Sequence, residues 1–496
     1  MNQCIFSIDI GTTAIKLCLL TIQVPYHIIH CNTIQHHAYT HTANNQYELD
    51  PYRIIDIILY QYINHTIYTV KHIVLTGQMH GIVLWNDIGI QELHNSNIDR
   101  HTANSDQQYS NVTNVITWLD QRCNNNTIDQ SNLSQSDTII SGYGMYTLTY
   151  LIQHQLIDIT RYLYCGTIAD LIYMVLTYDT HNNDSTVSYQ HPSMASSFGM
   201  YNNATNEWKS ELMNEYDHNQ YISASRLHIL PQISYTHTLP VNLYCRQHIE
   251  CSDSCNVHIS IGDATAQYTG LCMNNTEINT STNNCIINIG TSMQLTVAVN
   301  HDIDINNLPC TIECRPGINQ SSSLLVCASL NGGNVYHHLA KQYAQYNKCT
   351  LDESYHILNV NGMNCMYECN VPIKPTLYGE RYDNTLHCEY DNIMIEPDDI
   401  IPFDNMPHRY SIGNISASLC RALIYNLYDM CCMNNTLMYN IIQSSKCIVL
   451  CGSATTYHNM YQTFIEQIFQ KPVEYIDSRQ SQYAACIGAA HIVQQT

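Results

Sequence analysis

Short apolar runs flank a glycine-centred turn at the start of the chain, and the same pattern returns near its middle. Residues 4–10 and 15–22 are apolar or alternate on either side of Gly11-Thr12-Thr13, which predicts a β-hairpin. Ile287-Asn288-Ile289 likewise runs into Gly290-Thr291-Ser292 and out into apolar sequence. Two such turns predict two similar halves.

Elsewhere the periodicity varies. Asp50-Pro51 opens an amphipathic segment over 52–62, with Asp at the cap and Pro at the first helical position. Residues 72–75 read as a strand delivering Thr76-Gly77-Gln78-Met79-His80-Gly81, and residues 115–122 as a strand ending in Asp120 and Arg122 beside Trp118. The polar residues 86–113 read as loop, and the Asn/Ser/Gln-rich 124–137 as a surface excursion or helix start. A helix is predicted over 166–178. Residues 231–255 show little helical periodicity and contain Pro231 and Pro240, which places a domain boundary at their end and divides the chain into 1–255 and 256–496. After it, 258–266 reads as a strand, Gly262, and Asp263 opening a helix; 329–335 as a loop feeding a helix; 414–431 as a helix. Residues 448–456 read as strand, Gly452 and small polar residues before a helix through 469, and 484–490 as a small-residue helix suited to tight packing.

With 496 residues, two large domains fit both the length and the repeat. Apolar residues reach 45%, which excludes a disordered chain. The formal charge is −22 with only 19 Lys and Arg, thinly spread, so no basic surface for nucleic acid is expected. A nucleotide ligand would need a divalent metal to take much of its phosphate charge. The 23 cysteines are scattered. Three C-x-x-x-C pairs (Cys251/Cys255, Cys310/Cys314, Cys365/Cys369) lack the tighter spacing of zinc knuckles. No early apolar run follows a basic segment, so a reduced, cytoplasmic setting is expected, and the acceptor sequences at Asn64, Asn111 and Asn203, explained by the abundance of Asn, say nothing about glycosylation. No apolar run approaches membrane-spanning length, since Asp170 interrupts the best one, 168–176.

Several stretches carry candidate chemistry. A strand ending in Gly-Thr-Thr brings bare N–H groups and hydroxyls to a phosphate, because glycine has no Cβ to hold the anion off. The first copy has Asp9 where the second has Asn288, so only the first adds charge to a Mg²⁺ site. Gln78, Met79 and His80 put an amide, a thioether and an imidazole at a strand end, a polar lining for a hydroxylated ligand or a hairpin turn with a satisfied histidine. Asp120 and Arg122 suit a hydroxyl-binding, anion-clamping cluster or an edge salt bridge. Asp263 is either a helix cap or a carboxylate that accepts a proton from a substrate hydroxyl. The second phosphate-type turn follows it within thirty residues, which favours the second reading. The small residues Gly452-Ser453-Ala454 leave room for a flat ring against backbone.

Asp9-Ile10-Gly11-Thr12-Thr13, Gly77-Gln78-Met79-His80-Gly81, Trp118 with Asp120 and Arg122, Gly262-Asp263, Gly290-Thr291-Ser292, Gly379-Glu380-Arg381 and Gly452-Ser453-Ala454 stand in the order found in the FGGY carbohydrate kinases, which the chain resembles over nearly its whole length. The Gly-Gln-Met-His-Gly form is similar to the ketose kinases rather than glycerol kinase. Ala328-Ser329-Leu330-Asn331-Gly332-Gly333-Asn334-Val335, Gly166-Thr167-Ile168 and Thr117-Trp118 resemble the branch acting on sedoheptulose, with xylulose-type kinases the nearest rival and a silent sugar- or nucleotide-binding relative the alternative of another class. The resemblance implies an α/β protein of two ribonuclease-H-like domains of the actin-like ATPase superfamily flanking a central cleft. It implies ATP and Mg²⁺ as cofactors and a sugar as substrate.

By the same resemblance Asp9 serves the metal, and Gly11, Thr12 and Thr13 approach the transferring phosphoryl group. Gln78, Met79, His80, Asp120 and Arg122 line the sugar pocket, and Asp263 is the general base. Gly290, Thr291, Ser292, Gly452, Ser453 and Ala454 surround the nucleotide. The chain departs from the family in three places. Ala264 and Thr265 stand where a Gln is expected after Gly262-Asp263. His191-Pro192-Ser193-Met194 replaces a polar stretch that usually contains Asp and Asn. An Asn expected near the adenine is displaced, leaving His458 or Asn459 as substitutes.

Overall fold

After two exposed residues, the first strand is buried at seven consecutive positions, the signature of a strand covered on both faces. In the computed structural model this strand, β1 (Asn2–Ile10), turns into β2 (Ala14–Thr21), and β3 (Ile28–Gln35) continues the antiparallel meander. The structure describes residues 2–41, 46–60, 68–94, 110–123, 142–179, 187–203, 205–209, 229–272, 285–300, 308–380, 382–383, 385–397, 399, 401, 410–433, 435–454, 459–476 and 481–495.

On the other side of β1 lies β4 (Tyr68–Gly77), parallel to it, with Asp9 opposite Thr76 and Ile10 opposite Gly77. Two helices, α1 (Ile168–Thr177) and α2 (Pro192–Phe198), follow in the chain. They precede β5 (Thr238–Pro240), β6 (Cys251–His258), β7 (Ile261–Gly262) and α3 (Asp263–Cys272). The seven-stranded sheet runs β5-β6-β4-β1-β2-β3, and β7 pairs with the far end of β4.

The second sheet is built from β8 (Cys285–Ile289), β9 (Met293–Asn300), β10 (Ile312–Pro316), β11 (Ser322–Ser329), β12 (Ile448–Cys451) and β13 (Val473–Tyr475). Its order is β10-β11-β9-β8-β12-β13. The run β3-β2-β1-β4-β6 and the run β11-β9-β8-β12-β13 have the same sense at every step, two antiparallel pairings followed by two parallel ones. The ribonuclease-H-like plan is therefore present twice. Helices α4 (Gly333–Asn347) and α5 (Ile412–Cys432) supply the largest buried faces of the second core.

The chain divides into two compact units, one of Met1–Thr276, Pro316–Gln320 and Tyr483–Thr496, the other of Glu277–Arg315 and Ser321–Gln482. The boundary expected after residue 255 thus differs from the observed division, which leaves β7, α3 and Asp263 with the first unit. The reason is pairing: Ile261 lies opposite Thr76 and Gly262 opposite Gly77 on β4, in the middle of the first sheet. The small-residue helix Ala484–Ala489 returns to this unit and packs on α3.

Local expectations also meet exceptions. Asp50 caps the helix Pro51–Tyr60 by accepting the Tyr52 N–H at 2.9 Å. The stretch read as loop contains a helix, Asp87–His94, and the stretch lacking periodicity contains another, Leu243–Ile249. The latter spans two turns and buries only Cys245 and Ile249, too short a stripe to stand out among its neighbours. Residues 124–137 lie outside the described residues. Among the described residues no helix is long and apolar enough to cross a membrane.

Candidate active site

The hairpin register decides what surrounds the first turn. With Ile10 opposite Ile15, Asp9 falls opposite Lys16, and their side chains form an ion pair at 2.9 Å with Asp9 only 4% exposed. Burial works to lower the Lys16 pKa, but the charge and hydrogen bond of Asp9, with smaller contributions from Cys486 and Asp263, carry it above the ordinary lysine value. One ammonium thus senses both carboxylates singled out in the sequence. Lys16 itself was not among the expected site residues, although counting across the hairpin from Asp9 reaches it. The second hairpin has Gln294 opposite Asn288, an uncharged pair at the same cross-strand place.

The turn is braced on its far side. Thr12 accepts the indole N–H of Trp118 on Oγ1 at 2.9 Å, and its carbonyl meets His36 Nε2 at 2.8 Å. The Gly11 N–H is held by the Ala14 carbonyl at 3.0 Å.

At the end of β4, the Gln78 N–H donates to the Ile10 carbonyl at 2.8 Å, so this loop is tied to the phosphate-type turn. Both amide atoms of the Gln78 side chain are buried with no hydrogen-bond partner among the described residues. A buried amide left so is costly unless a ligand completes it. Met79 packs against Gly262, where a Cβ would meet its sulfur at 2.8 Å. His80 has a left-handed backbone (φ 78°), a conformation uncommon for a side-chain-bearing residue. Its Nδ1 donates to the Ser197 carbonyl at 2.7 Å, which leaves Nε2 as the acceptor of the neutral ring. The ring stacks on Tyr143 at 4.5 Å.

The guanidinium fork of Arg122, expected to clamp a ligand anion, closes on the protein's own carboxylates. It grips Asp120 through Nε and Nη2, both at 2.8 Å, and reaches Glu48 through Nη2. The salt-bridge reading describes this contact, and Glu48 is a member the sequence reading missed. Asp120 also accepts the Tyr47 N–H at 2.9 Å, so its orientation is set from two sides.

Asp263 stands half-buried where β7 becomes α3, its Oδ1 accepting the Ala264 N–H at 2.7 Å. Behind it, Ser260 donates to Asp170, and the Gly262 N–H donates to Ser193.

In the second unit, three turns distant in sequence meet. The Gly333 N–H donates to the Gly290 carbonyl at 2.9 Å and the Asn334 N–H to the Thr291 carbonyl at 3.0 Å. A Cβ on Gly333 would meet that Gly290 carbonyl at 2.5 Å and the Ala454 Cβ at 2.9 Å. Glu380, 1% exposed, holds the loop from below through Ser329 Oγ, the Leu330 N–H and the amides of Asn331 and Asn426. Gly290-Thr291-Ser292 and Gly452-Ser453-Ala454 are therefore brought together with Gly332-Gly333-Asn334. Arg381 and His458 lie outside the described residues.

Gly77 and Gly452 hold equivalent places in the two sheets. In each, a Cβ would collide with the carbonyl of the residue before the hairpin glycine, Ile10 in one case and Ile289 in the other. The loop after each parallel strand thus comes directly onto its phosphate-type turn.

No protein-family profile matches the chain. It is 22% identical over 492 residues to sedoheptulokinase of Mus musculus, spanning 94% of this chain and 93% of that protein. The human sedoheptulokinase aligns at 22% identity over 81% of this chain and 77% of its own length. The chain is thus similar over nearly its whole length to carbohydrate kinases. Solved kinases agree in fold: a xylulose kinase from Rhodospirillum rubrum superposes with a TM-score of 0.75 at 13% identity, covering 99% of this chain and 89% of that one. A ligand-bound xylulose kinase from Lactobacillus acidophilus gives 0.72 at 18% over 99% and 89% of the two chains, and Plasmodium falciparum glycerol kinase with ADP gives 0.69 at 15% over 100% and 90%.

Kinase chemistry suits the donor set. Among the described residues no group of three His, Cys, Asp or Glu could hold a metal ion unaided. Asp9, buried and paired with Lys16, fits a magnesium ion that keeps its waters and arrives with the phosphates of its nucleotide.

Proposed function

We propose that this kinase transfers the γ-phosphoryl group of Mg-ATP to the terminal primary hydroxyl of a ketose, with sedoheptulose giving sedoheptulose 7-phosphate. The observation that carries the reading is the ion pair of Lys16 with the buried Asp9 at 2.9 Å beside the Gly11-Thr12-Thr13 turn. Asp263 takes the proton as the sugar oxygen forms its bond to phosphorus and the bond from phosphorus to the ADP oxygen breaks. Lys16 and the N–H groups and hydroxyls of Thr12 and Thr13 offset charge on the transferring group, and Gly11 lets it approach the backbone. Asp9 would hold a magnesium ion arriving with the nucleotide, which would neutralise phosphate charge.

Gln78, the Nε2 of His80 and Asp120 bind sugar hydroxyls, Met79 fills the apolar side, and Arg122 with Glu48 holds Asp120 in place. The unpartnered Gln78 amide supports this assignment. In the second unit, Gly290, Thr291, Ser292, Gly452, Ser453 and Ala454 take the nucleotide, a role supported by the approach of both turns to Gly333. The sedoheptulose assignment rests on whole-length similarity to two sedoheptulokinases. Xylulose is the second reading, favoured by the fold shared with xylulose kinases. The 23 cysteines, all free thiols, favour a reducing compartment such as the cytoplasm.

The test is coupled ADP release with sedoheptulose, xylulose, ribulose and glycerol. Sedoheptulose should give the highest kcat/KM. Preference for xylulose replaces the substrate alone, and no ADP above the water blank with any sugar makes the protein a binder.

A further inference from the structure

Asp263 is one residue beyond a two-residue strand, and two residues of so short an element cannot by themselves hold a catalytic carboxylate to the few tenths of an ångström that transfer demands. The structure shows a separate device behind it. Ser260 donates its hydroxyl to Asp170 Oδ1 at 2.8 Å, and the Gly262 N–H donates to Ser193 Oγ at 2.9 Å. Both anchors are themselves buried and fully engaged. Asp170, 1% exposed, also accepts the Thr167 N–H and hydroxyl at 2.8 Å and the Gln190 amide at 2.7 Å. Ser193 is inaccessible to solvent and leans on His191, equally inaccessible.

The direction of the bonds around His191 can be worked out. Its Nδ1 accepts the Ser193 N–H at 3.1 Å, so Nδ1 carries a lone pair. Ser193 Oγ, 2.8 Å from the same nitrogen, must then donate its proton to it. That leaves the Oγ lone pairs free to accept from Gly262, and the Nε2–H faces the Ile318 carbonyl at 3.4 Å. A neutral imidazole therefore orients a hydroxyl, and the hydroxyl holds the backbone N–H immediately before Asp263. The stretch His191-Pro192-Ser193-Met194 replaces one that in the resembled family usually contains Asp and Asn, side chains that accept hydrogen bonds, and the His191 imidazole acts here as an acceptor too.

We propose that His191 and Ser193 are positioning residues for Asp263, fixing the Gly262–Asp263 peptide through the chain Gly262 N–H, Ser193 Oγ, His191 Nδ1, with Asp170 and Ser260 securing the strand one step earlier. The inference rests on the proposed role of Asp263 as the base. Both side chains are inaccessible to solvent, so on this reading their loss falls on kcat and not on KM.

The experiment compares wild type, Asp263→Ala, Ser193→Ala, His191→Leu and His191→Asn in the ADP-release assay with the sugar found best for wild type, alongside circular dichroism and Tm. Ser193→Ala and His191→Leu should each lose about tenfold or more in kcat, with KM for sugar and ATP within about threefold of wild type. His191→Asn keeps an acceptor oxygen near the place of Nδ1 and should hold kcat within about threefold of wild type. Should His191→Leu fail to fold, Ser193→Ala, which removes one oxygen, carries the comparison. Unchanged kcat in folded Ser193→Ala, or a loss appearing only in Tm or KM, overturns the positioning role while Asp263→Ala remains inactive. Turnover surviving in Asp263→Ala, or no sugar-dependent ADP release by wild type, overturns the role of Asp263 and this inference with it.

Discussion

Trp118 donates its indole N–H to Thr12 Oγ1 at 2.9 Å, joining the segment that carries Asp120 and Arg122 to the turn proposed to face the phosphoryl group. The Thr12 hydroxyl, accepting from the indole, has its own proton to give to a phosphate oxygen. Trp118→Phe keeps the ring volume and removes this donor. We expect kcat to fall about tenfold, the scale of one lost hydrogen bond at a charged transition state, with Tm within about 3 °C of wild type. Steady-state kinetics with Tm alongside checks it, and an unchanged kcat would make the bond merely structural.

Asp9 and Asn288 occupy the same place in two copies of one hairpin, yet only Asp9 faces a cation. Asp9→Asn should lower Mg-dependent transfer by at least about a hundredfold, whereas Asn288→Ala should cost less than about tenfold. Equal sensitivity of the two variants in the same assay would contradict the asymmetry.

Lys16 is the cation common to Asp9 and Asp263. Lys16→Met keeps the length of the side chain and discards its charge. It should reduce kcat about a hundredfold or more. Retention of wild-type kcat at saturating ATP would remove Lys16 from the transfer step.

Asp263→Ala should leave the fold intact and reduce transfer by several orders of magnitude, on the order of the 10²- to 10⁴-fold that a positioned base contributes. Rapid-quench measurement of a single turnover separates this from slow product release. A variant keeping most of its turnover ends the role.

Three histidines of the first unit are buried in the neutral form. Burial pulls His191 and His491 down to about 4 and, helped by the neighbouring charge of His72, His258 down to about 3. Their unfolded value is near 6.5, so the unfolded chain binds protons first as the pH falls. The stabilisation is complete above that value and is lost progressively as the pH drops toward the folded values. Tm followed by circular dichroism should hold steady above pH ~6.5 and fall steeply from there to pH ~4. A flat Tm across that window would show that these rings are not buried neutral.

The sequence made the two hairpins and the helix Ile412–Cys432 legible because the first strand of each hairpin is a nearly unbroken apolar run closed by Gly, and the helix repeats its stripe over several turns, whereas the helix Leu351–Cys365, with only three buried positions, went unread. Asp263 was legible as a residue but not in its allegiance, since what assigns it to the first unit is the pairing of Ile261 and Gly262 with Thr76 and Gly77, about 185 residues earlier. The partner of Arg122 was equally hidden: Glu48 lies 74 positions away, and only the folded arrangement sets it against the guanidinium. Lys16 could have been found, because a four-residue turn with Ile10 opposite Ile15 dictates that Asp9 and Lys16 face each other.

Gly77 and Gly452 make the same close approach to the residue ahead of the hairpin, so whatever follows each glycine is delivered to one and the same spot of a repeated scaffold. After Gly77 come Gln, Met and His, side chains that reach outward; after Gly452 come Ser and Ala, which barely leave the main chain. On the proposed reading, side-chain reach at one address sorts the two substrates: long polar groups seek out scattered hydroxyls, and a nearly bare ledge receives a flat base. On the same reading, such a chain would change the sugar it accepts by altering three consecutive residues while the backbone beneath them, already used twice, stays as it is.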